Sequence, residues 1–461
     1  MVMGKRKPRQ ESLFVTTDQL TPSAGHPFYQ KLNALLAEAD FDRWIERRCA
    51  ASYEREEKRG QPSLPPGVYF RMLLIGYFEG LDSQRGIAWR CSDSLSLRAF
   101  LGIPLHEGTP DHSTLTNTRK RLPQEVFEEV FQFVLGIAEA KKLVAGKTVG
   151  VDSTTLEANA AMKSIVRRDT GEDWKDYVTR LMREEGVIGP EEKPSKAEVL
   201  RYDRKRKNKT VSNTEWKSEI DPDARIARMK DGTTHLAYKA EHVVDLDSDL
   251  VLAAEIGPAT AADTMTLSDS LVAAQLNLKA AGSQAVIKEA AGDKGYHAAA
   301  TIEMCDFFEV RTYIPEPKTA ESATWPDKPE EQRRAALNNR SRMQRSKGKA
   351  MQRRRSEVVE RTFAHICETG GSRRSHLRGL VNVTKRYLIA VAAHNLGRIL
   401  RRLTGIGKPK ALQGSAGGFV ALRQSNPEWF KDAWTISSPD IGTMSVLARR
   451  FGDRGPRWIE V

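Results

Sequence analysis

The spacing of apolar residues predicts helices in the first third of the chain. From residue 27 to about 143, apolar side chains recur every three or four residues, for example at Phe28 and Leu32, which is the period of a helix with one buried face. Asp111 can cap a helix over HSTLTNTRKRL (112–122). Several short helices with a basic segment are typical of a small DNA-binding bundle. They fit a helical domain with an ordinary solvated basic face equally well.

After about residue 147 the pattern changes from helices to alternating strands and helices. Asp247-Ser248-Asp249 predicts a hairpin turn between two of the strands. The predicted elements, in order, are strand Thr148–Val151, strands His235–Asp245 and Leu250–Ile256, helix Thr264–Ala280, strand Gln284–Glu289, helix His297–Phe308 and strand Arg311–Ile314. This order suits a ribonuclease H-like α/β fold, in which a mixed sheet is flanked by helices.

Polar segments and later helices complete the predicted organisation. Two stretches with little apolar periodicity, about 163–234 and 316–350, read as insertions, and helices are expected from Met351 to Gly370 and over Leu380–Leu403. The resulting domains are a disordered basic tail (1–26), an all-α amino-terminal domain that binds DNA (27–146), the α/β catalytic domain (147–404), and a linker with a carboxyl-terminal tail (405–461).

Charge and cysteine content narrow the class of protein. The 461 residues include 73 Lys and Arg against 60 Asp and Glu, a net charge of +13, which favours a polyanionic partner such as nucleic acid. No apolar run is long enough for a membrane span, and we see no secretory signal. The four cysteines are scattered without a CxxC pair, which argues against a zinc ribbon or a disulfide framework. We therefore expect a cytoplasmic, nucleoid-associated protein.

Three acidic residues stand where the fold would bring them together. Asp152 and Asp293 follow predicted strands, and Glu360 lies on a helix expected to pack over the sheet. Open α/β sheets place their chemistry at the carboxyl ends of strands. Three converging carboxylates need a counterion, and Mg²⁺ prefers such oxygen ligands. Each acid taken alone is more often a cap or turn residue, but the three contexts together favour a metal site.

Three sequence blocks resemble the catalytic blocks of a known family. They are VDSTTLEAN (151–159), AGDKGYHAA (291–299) and VVERTFAHICETGGSRRSHLRG (358–379). They resemble the DDE transposases of bacterial insertion sequences, in particular the broad group related to the fourth and fifth insertion-sequence families. DPDAR, GPATAADT and the amino-terminal HSTLTNTRKRL resemble further segments of that group, so that the resemblance covers roughly residues 60–405.

The resemblance implies a catalytic triad and its cofactor. Asp152 matches the first aspartate, Asp293 the second and Glu360 the glutamate, which in this family hold Mg²⁺ or Mn²⁺, normally two ions. Many fourth-family members also carry Tyr, Arg and Lys at set distances from the glutamate. Here those positions hold Arg353, Ser356 and Cys367, so the DNA-hairpin chemistry tied to that signature is not implied.

Basic residues around these blocks are candidates for DNA contact. Between Arg333 and Arg361 there are eleven Lys and Arg residues against two Glu. Such a run is often only a solvated face, but here it flanks the candidate metal site, and arginine suits bidentate phosphate contacts. The predicted DNA-binding residues are Arg119, Lys120, Arg121, Arg353, Arg354, Arg355, Arg361, Arg373, Arg374 and Arg378.

Four other residues receive a weaker interpretation. Asp263 can lie near the metals or cap the helix that follows, and the cap is preferred. His297 and His365 flank the acidic blocks and are taken as structural. Trp325 lies in the second insertion, where related transposases stack a flipped base on an aromatic ring. An anchoring role for its Trp-Pro turn is at least as well supported.

These observations predict an insertion-sequence transposase. It would bind the terminal inverted repeats of its element and catalyse metal-dependent DNA cleavage and strand transfer, acting as a homodimer or larger assembly on DNA and not at a membrane. Two alternatives remain: a ribonuclease H-like nuclease that only hydrolyses DNA, and a catalytically idle, element-derived DNA-binding regulator.

Overall fold

In the part of the chain that the structure describes, seven α-helices precede the first strand. Asp111 caps α6 as predicted, since its Oδ1 accepts a hydrogen bond from the Ser113 amide at 2.8 Å. Nearly every residue of α3 is buried, because the other helices surround it. The seven helices are α1 (Pro27–Glu38), α2 (Phe41–Cys49), α3 (Pro66–Glu79), α4 (Gln84–Ser92), α5 (Leu95–Leu101), α6 (His112–Arg121) and α7 (Gln124–Ala140).

The structure is a computed structural model that describes residues 25–53, 63–207, 211–229, 232–317, 326 and 328–412. The chain divides into two units, Met1–Gly407 and Lys408–Val461, and the description below concerns the first unit. Trp325, the basic tail and most of the predicted carboxyl-terminal tail lie outside the described residues. The four cysteines are buried and unpaired, in keeping with their scattered positions.

A mixed six-stranded sheet follows the amino-terminal helices. Its strands are β1 (Thr148–Glu157), β4 (Arg225–Arg228), β5 (Thr234–Asp245), β6 (Val251–Pro258), β7 (Glu289–Ala291) and β8 (Arg311–Tyr313). The order across the sheet is β4-β5-β1-β7-β8, and β6 also pairs with β5. β1 is antiparallel to β5 and parallel to β7, which is parallel to β8. The predicted mixed α/β architecture is confirmed at this level.

Two strands differ from the expectation. β1 does not end at Val151 but runs on to Glu157, because β5 supplies hydrogen-bonding partners along this whole length. Asp152 therefore lies inside β1. The strand predicted over Gln284–Glu289 was wrong, since only Glu289–Ala291 pair as a strand. The preceding segment is held partly by a side chain, with the Ile287 amide donating to Gln275 Oε1 at 3.0 Å.

The polar stretch over 163–234 contains regular structure. Its elements are β2 (Ile165–Arg167), α8 (Trp174–Glu184), α9 (Lys196–Lys205), β3 (Trp216–Ser218) and β4 of the main sheet. β2 and β3 form a separate antiparallel pair. α8 and α9 enclose a small core of Val178, Met182 and Val199. The amphipathic pattern of these helices was hidden by their many charges, which face solvent.

Helices cover both faces of the main sheet. These are α10 (Asp263–Ala280), α11 (Ala299–Phe307), α12 (Glu330–Gln344), α13 (Ser346–Phe363, continued by a π-helical segment Ala364–Thr369) and α14 (Leu380–Thr404). α13 packs on β1, α10 packs on β5 and β6, and α14 contacts β6 together with α3 and α7. The second predicted insertion thus contains α12 and the start of α13. None of the helices described is long and apolar enough to cross a membrane.

Candidate active site

The two candidate aspartates lie in equivalent register on neighbouring parallel strands, Asp152 within β1 and Asp293 two residues after the end of β7. Gly150 of β1 pairs with Ala291 of β7, and Asp152 and Asp293 each follow two residues beyond that pair. Burial raises the pKa of Asp152, and the negative charge of Asp293 acts in the same direction. The register of β1 and β7 therefore places the two residues on adjacent strands at the same level of the sheet.

Asp152 is held by an arginine of α13. Arg355 Nη1 donates to Asp152 Oδ2 at 2.8 Å, and the Ser153 amide donates to Oδ1 at 2.8 Å. The carboxylate keeps 21% of its side chain exposed, whereas Arg355 keeps 10%. The guanidinium lowers the pKa of Asp152 but does not offset the effect of burial. The Asp152 carboxylate is thus partly neutralised by the protein itself.

Gly150 sets the distance between α13 and the sheet. A Cβ atom at this position would lie 2.9 Å from Val359 Cγ2 and 3.1 Å from Arg355 Cγ, both on α13. The absence of a side chain lets the helix approach β1 closely. This approach brings Arg355 within hydrogen-bonding distance of Asp152.

Glu360 lies on the exposed side of α13. It directly follows Val359, which packs on β1, and its Oε1 accepts a hydrogen bond from Ser356 Oγ at 2.7 Å. Cys367, at the position where fourth-family members often carry Lys, is buried beside Tyr387. Among the described residues, the hydrogen-bond partner of Glu360 is thus the neighbouring Ser356, and its side chain remains accessible to solvent.

Asp293 and Asp263 converge on Gly295. Asp293 Oδ1 accepts a hydrogen bond from the Gly295 amide at 2.7 Å and caps the turn Lys294–Tyr296. A Cβ atom at Gly295 would lie 2.9 Å from Asp293 Oδ1 and 2.8 Å from Asp263 Oδ2. These two carboxylates therefore share one small space, which a side chain at Gly295 would fill.

The preferred interpretation of Asp263 as a helix cap was wrong. Asp263 is the first residue of α10, the N-cap is Ala262, and no side chain caps the helix. Instead, Asp263 Oδ1 lies 2.6 Å from Lys239 Nζ and accepts a hydrogen bond from Ser153 Oγ at 3.0 Å. Asp263 belongs to the cluster around the strand ends.

Sequence reasoning missed two charged residues of β5. Glu241 is buried, with the Tyr296 hydroxyl donating to it at 2.9 Å and Lys239 Nζ at 3.3 Å. The pKa of Tyr296 is raised by burial and by the nearby charges of Glu241, Asp263 and Asp152. The signal was present in the sequence, because Lys239 and Glu241 are two residues apart in one strand and so face the same side.

The side chains at this site are of a type that binds metal ions, but they are not arranged as a metal site. The carboxylates of Asp152, Asp293, Asp263 and Glu360 are hard oxygen donors of the kind that Mg²⁺ prefers. Among the described residues, however, no three Asp, Glu, His or Cys side chains are arranged as a ready metal site, and Arg355 occupies one oxygen of Asp152. The donor atoms are chemically suited to a divalent cation, but the described side chains do not form a site for one in this structure.

The predicted DNA-binding residues of α6 divide between interior and surface. Arg119 is buried, with Nε donating to Asn382 Oδ1 of α14 at 3.2 Å. Lys120 and Arg121 are exposed, and the Arg121 guanidinium lies 4.7 Å from the centre of the Tyr53 ring. Of these three candidates for DNA contact, Arg119 is therefore buried, because α14 packs against it.

The arginines of α13 are mostly paired within the protein. Besides Arg355, Arg354 Nε donates to the Leu246 carbonyl at 2.8 Å, and Arg361 lies 3.4 Å from Asp249 and also contacts Glu357. Arg353 is exposed and makes no ion pair with another described residue. Only part of the predicted cationic run is therefore directed to solvent without an acidic partner.

The three arginines after α13 fasten their loop to β1. Arg373 Nη1 donates to Thr154 Oγ1 and to the Thr155 carbonyl, both at 2.9 Å. Arg374 lies 3.6 Å from Glu157. Arg378 is exposed, with Nε donating to the Asn159 carbonyl at 3.3 Å. These residues bring a basic loop alongside the strand that carries Asp152.

His297 and His365 are partly buried. Burial lowers the pKa of His297, and the His365 ring lies 5.6 Å from that of His394. Both positions fit the structural roles expected of them.

The fold and site define an α/β protein with two aspartates in equivalent register on adjoining parallel strands, preceded by a helical region. Two segments of the chain match known protein families. Residues 15–121 match a transposase domain (DUF772), and residues 318–400 match a transposase DDE domain. The two matches confirm the resemblance to DDE transposases of insertion sequences and support a transposase function.

The matches cover less than half of the chain. Glu360 lies inside the matched DDE segment, whereas Asp152 and Asp293 lie outside it. Comparison with curated proteins and with solved structures gives no match.

Proposed function

We propose that the chain is an insertion-sequence transposase that cleaves and joins DNA with Asp152, Asp293 and Glu360. One observation carries the proposal: Asp152 and Asp293 each lie two residues past the last residue pair of the parallel strands β1 and β7, in a chain with two transposase segments. An antiparallel meander of β1, β5 and β6 followed by parallel β7 and β8 also supports a ribonuclease H-like core.

Within this proposal the chain's own residues have separate tasks. Asp152 and Asp293 would hold Mg²⁺ or Mn²⁺ with Glu360 as the third ligand, and two bound ions would supply charge neutralisation at the attacking and leaving oxygens of a phosphoryl transfer. Arg355 would release the Asp152 carboxylate as the site is assembled. The exposed cations of α6 and α13 would position DNA through its phosphates.

The partner of this site would be DNA, comprising the inverted repeats at the element ends and a target. Since two ends must be joined to one target, the active complex would contain at least two copies of the chain. A nuclease that only hydrolyses remains the second candidate, because the same carboxylates would serve hydrolysis.

The test uses purified protein, DNA carrying the element ends, and Mg²⁺. Asp152→Ala, Asp293→Ala and Glu360→Ala should each lower the cleavage rate by at least about 1,000-fold, while the affinity for DNA stays within about threefold. Glu357→Ala, an exposed acid one turn from Glu360, is the matched control and should cleave normally.

Product mapping separates the two candidate functions. Joined products with a new phosphodiester bond to target DNA would support the transposase, and cleaved ends alone would support the nuclease. Normal cleavage by all three acid variants would show that the site proposed here is not catalytic.

A further inference from the structure

A cavity of about 330 Å³ lies beside β1, between the amino-terminal helices and the loop that follows α13. Its walls come from α3, the start of α4, α6, α7, α14 and residues 371–377. Nearly all of its lining therefore belongs to the two segments that match transposase families, yet none of the three candidate catalytic acids lines it. This volume is at the lower end of the range of small-molecule sites.

Positive charge dominates the lining of this cavity. Four arginines line it, together with Asp82 as the one acid among the described lining residues. Asp82 already has a partner, because its Oδ2 lies 3.1 Å from His376 Nε2. The four arginines are Arg85, Arg119, Arg374 and Arg386.

Arg119 is the most informative of these residues. It is only 9% exposed, and its Nη1 atom is buried without a hydrogen-bond partner. Burial lowers the pKa of Arg119 and of Arg386, and the charge of Arg119 lowers the pKa of Arg386 further. A buried and a half-buried arginine with an unpaired donor on Arg119 are unfavourable in the free protein, and a bound anion would relieve both effects.

The cavity also has a helix terminus and an apolar wall. Ser83, Gln84 and Arg85 form the N-terminal end of α4, where the helix dipole favours an anion. Tyr69, Phe127 and other apolar side chains form the rest of the wall. A phosphate with a sugar or base attached matches this combination better than a bare inorganic ion does.

Leu156 connects the cavity to the candidate active site. It lines the cavity and lies on the same face of β1 as Asp152, four residues further along the strand. At the rise of a strand this separation is about 13 Å. A DNA strand bound at Asp152 could therefore place a nearby nucleotide in the cavity.

We propose that this cavity binds a phosphate group of a DNA strand, with Arg119, Arg374 and Arg386 as its ligands and the attached nucleoside against the aromatic wall. The assignment of DNA as the source of the phosphate rests on the proposed function. The assignment of a phosphate rests only on the lining of the cavity.

The first experiment uses inorganic phosphate and a short single-stranded oligonucleotide as probes, with binding measured by calorimetry. Arg119→Met and Arg374→Gln should each weaken phosphate binding about 10-fold to 100-fold, and Arg119→Lys should weaken it less. The oligonucleotide should compete with phosphate for the full-length protein. Arg201→Met, the same change at an exposed position of α9 outside the cavity, should bind as the unmodified chain does.

Stability distinguishes a ligand site from a structural role. If Arg119 is present for an anion, Arg119→Met should leave the thermal stability of the ligand-free protein unchanged or raise it, because a buried unpaired charge is removed. A clear loss of stability together with unchanged phosphate binding would show that Arg119 is structural and would overturn the proposal.

The remaining outcomes are also decisive. Phosphate binding without competition by the oligonucleotide would overturn DNA as the source and leave a small-anion site. Absence of phosphate binding to the unmodified chain would overturn the site itself. If the unmodified protein binds phosphate and the oligonucleotide but does not cleave DNA that carries the element ends, the proposed function is refuted. The cavity would still be a phosphate site.

Discussion

The acidic residues on the two faces of the sheet around β1 differ in how many partners they have. On the face covered by α10, Asp263 and Glu241 share the ammonium group of Lys239 and accept hydrogen bonds from neighbouring hydroxyl groups. On the face covered by α13, Asp152 has a single cationic partner, Arg355, from a helix that packs against the strand. The α10 face is a satisfied polar network, whereas the α13 face holds a carboxylate that one movement can release.

The difference indicates which acids are available for chemistry. A carboxylate shared in a buried network cannot leave it without stranding its partners. Asp152 can exchange one cation for another, since its partner is a single arginine at the edge of the site. The predictions below test this contrast in order of expected size.

Lys239→Met removes the shared cation of the α10 face and should cause the largest loss in the free energy of unfolding. Lys239 is 6% exposed, and removing its charge leaves two neighbouring carboxylates without their shared cation. We expect a loss of about 4 kcal/mol in the free energy of unfolding, measured by urea denaturation. The control is Lys288→Met, whose exposed pair with Glu309 should contribute less than about 1 kcal/mol. Equal effects of the two changes would refute the network.

The second prediction concerns His242, on the α13 face, and the pH dependence of the free energy of unfolding. It pairs with Asp152 across β1 and β5, lies fully buried between Thr362 and Tyr387, and burial lowers its pKa to about 3. Because folding disfavours the charged form, stability is fully present above the unfolded pKa of 6.5 and falls as the pH drops below it. The loss should approach 1.4 kcal/mol per pH unit, or about 3 kcal/mol near pH 4.

The His242 effect is measured as the difference between the unmodified chain and His242→Gln over this acid range. The variant should lack this part of the acid sensitivity, whatever its stability at neutral pH. Parallel pH profiles for the two proteins would show that His242 is not the titrating group.

Arg355→Met should lower the free energy of unfolding by less than Lys239→Met does. It leaves Asp152 without its cation, but the carboxylate is 21% exposed, so we expect a loss of about 2 kcal/mol, less than for a fully buried pair. Adding Asp152→Asn to Arg355→Met should restore most of the loss, since the stranded charge is then removed. Additive losses in the double variant would mean that the ion pair contributes little.

The smallest effect concerns DNA affinity. Arg353 is exposed on α13, whereas Arg355 is bound to Asp152. Arg353→Gln should therefore reduce the log–log salt dependence of DNA binding by about 0.9, as measured by fluorescence anisotropy. Arg355→Gln, the same change at the residue that is bound to Asp152, should leave that slope unchanged. The opposite result would place DNA on the inner face of the helix.

Sequence patterns predicted the helices and the order of the core elements better than the limits of the strands. Periodic apolar residues in α3, α7 and α14 match their buried faces. The end of β1 was misplaced because DSTTLE has mostly polar side chains, and its strand conformation depends on pairing with β5. The pattern of apolar and polar residues along β1 does not predict that β5 will pair with it.

Only part of the candidate site could be predicted, because several of its contacts join residues that are far apart in the sequence. Motif context predicted Asp152, Asp293 and Glu360 as the triad, which stays a prediction, and the strand register places Asp152 and Asp293 at the same level of adjacent strands. The ion pair between Asp152 and Arg355 joins residues 203 positions apart, and the contact of Asp263 with Lys239 depends on the packing of α10. Neither contact has a local signature, so Arg355 was predicted only as a DNA contact, and for Asp263 a helix cap was preferred over a place near the metals.

The 25 residues of α14 have a consequence for how such a protein can change over time. This helix is buried against the amino-terminal helices and the sheet alike, with Lys385 Nζ donating to the Leu122 carbonyl at 2.7 Å and Asn395 bonded to Val251 of β6. An amino-terminal region transplanted from a relative would have to fit a helix encoded more than 200 residues downstream. We therefore expect the two regions to be inherited together, and working chimaeras to require α14 from the same parent as α3 and α7.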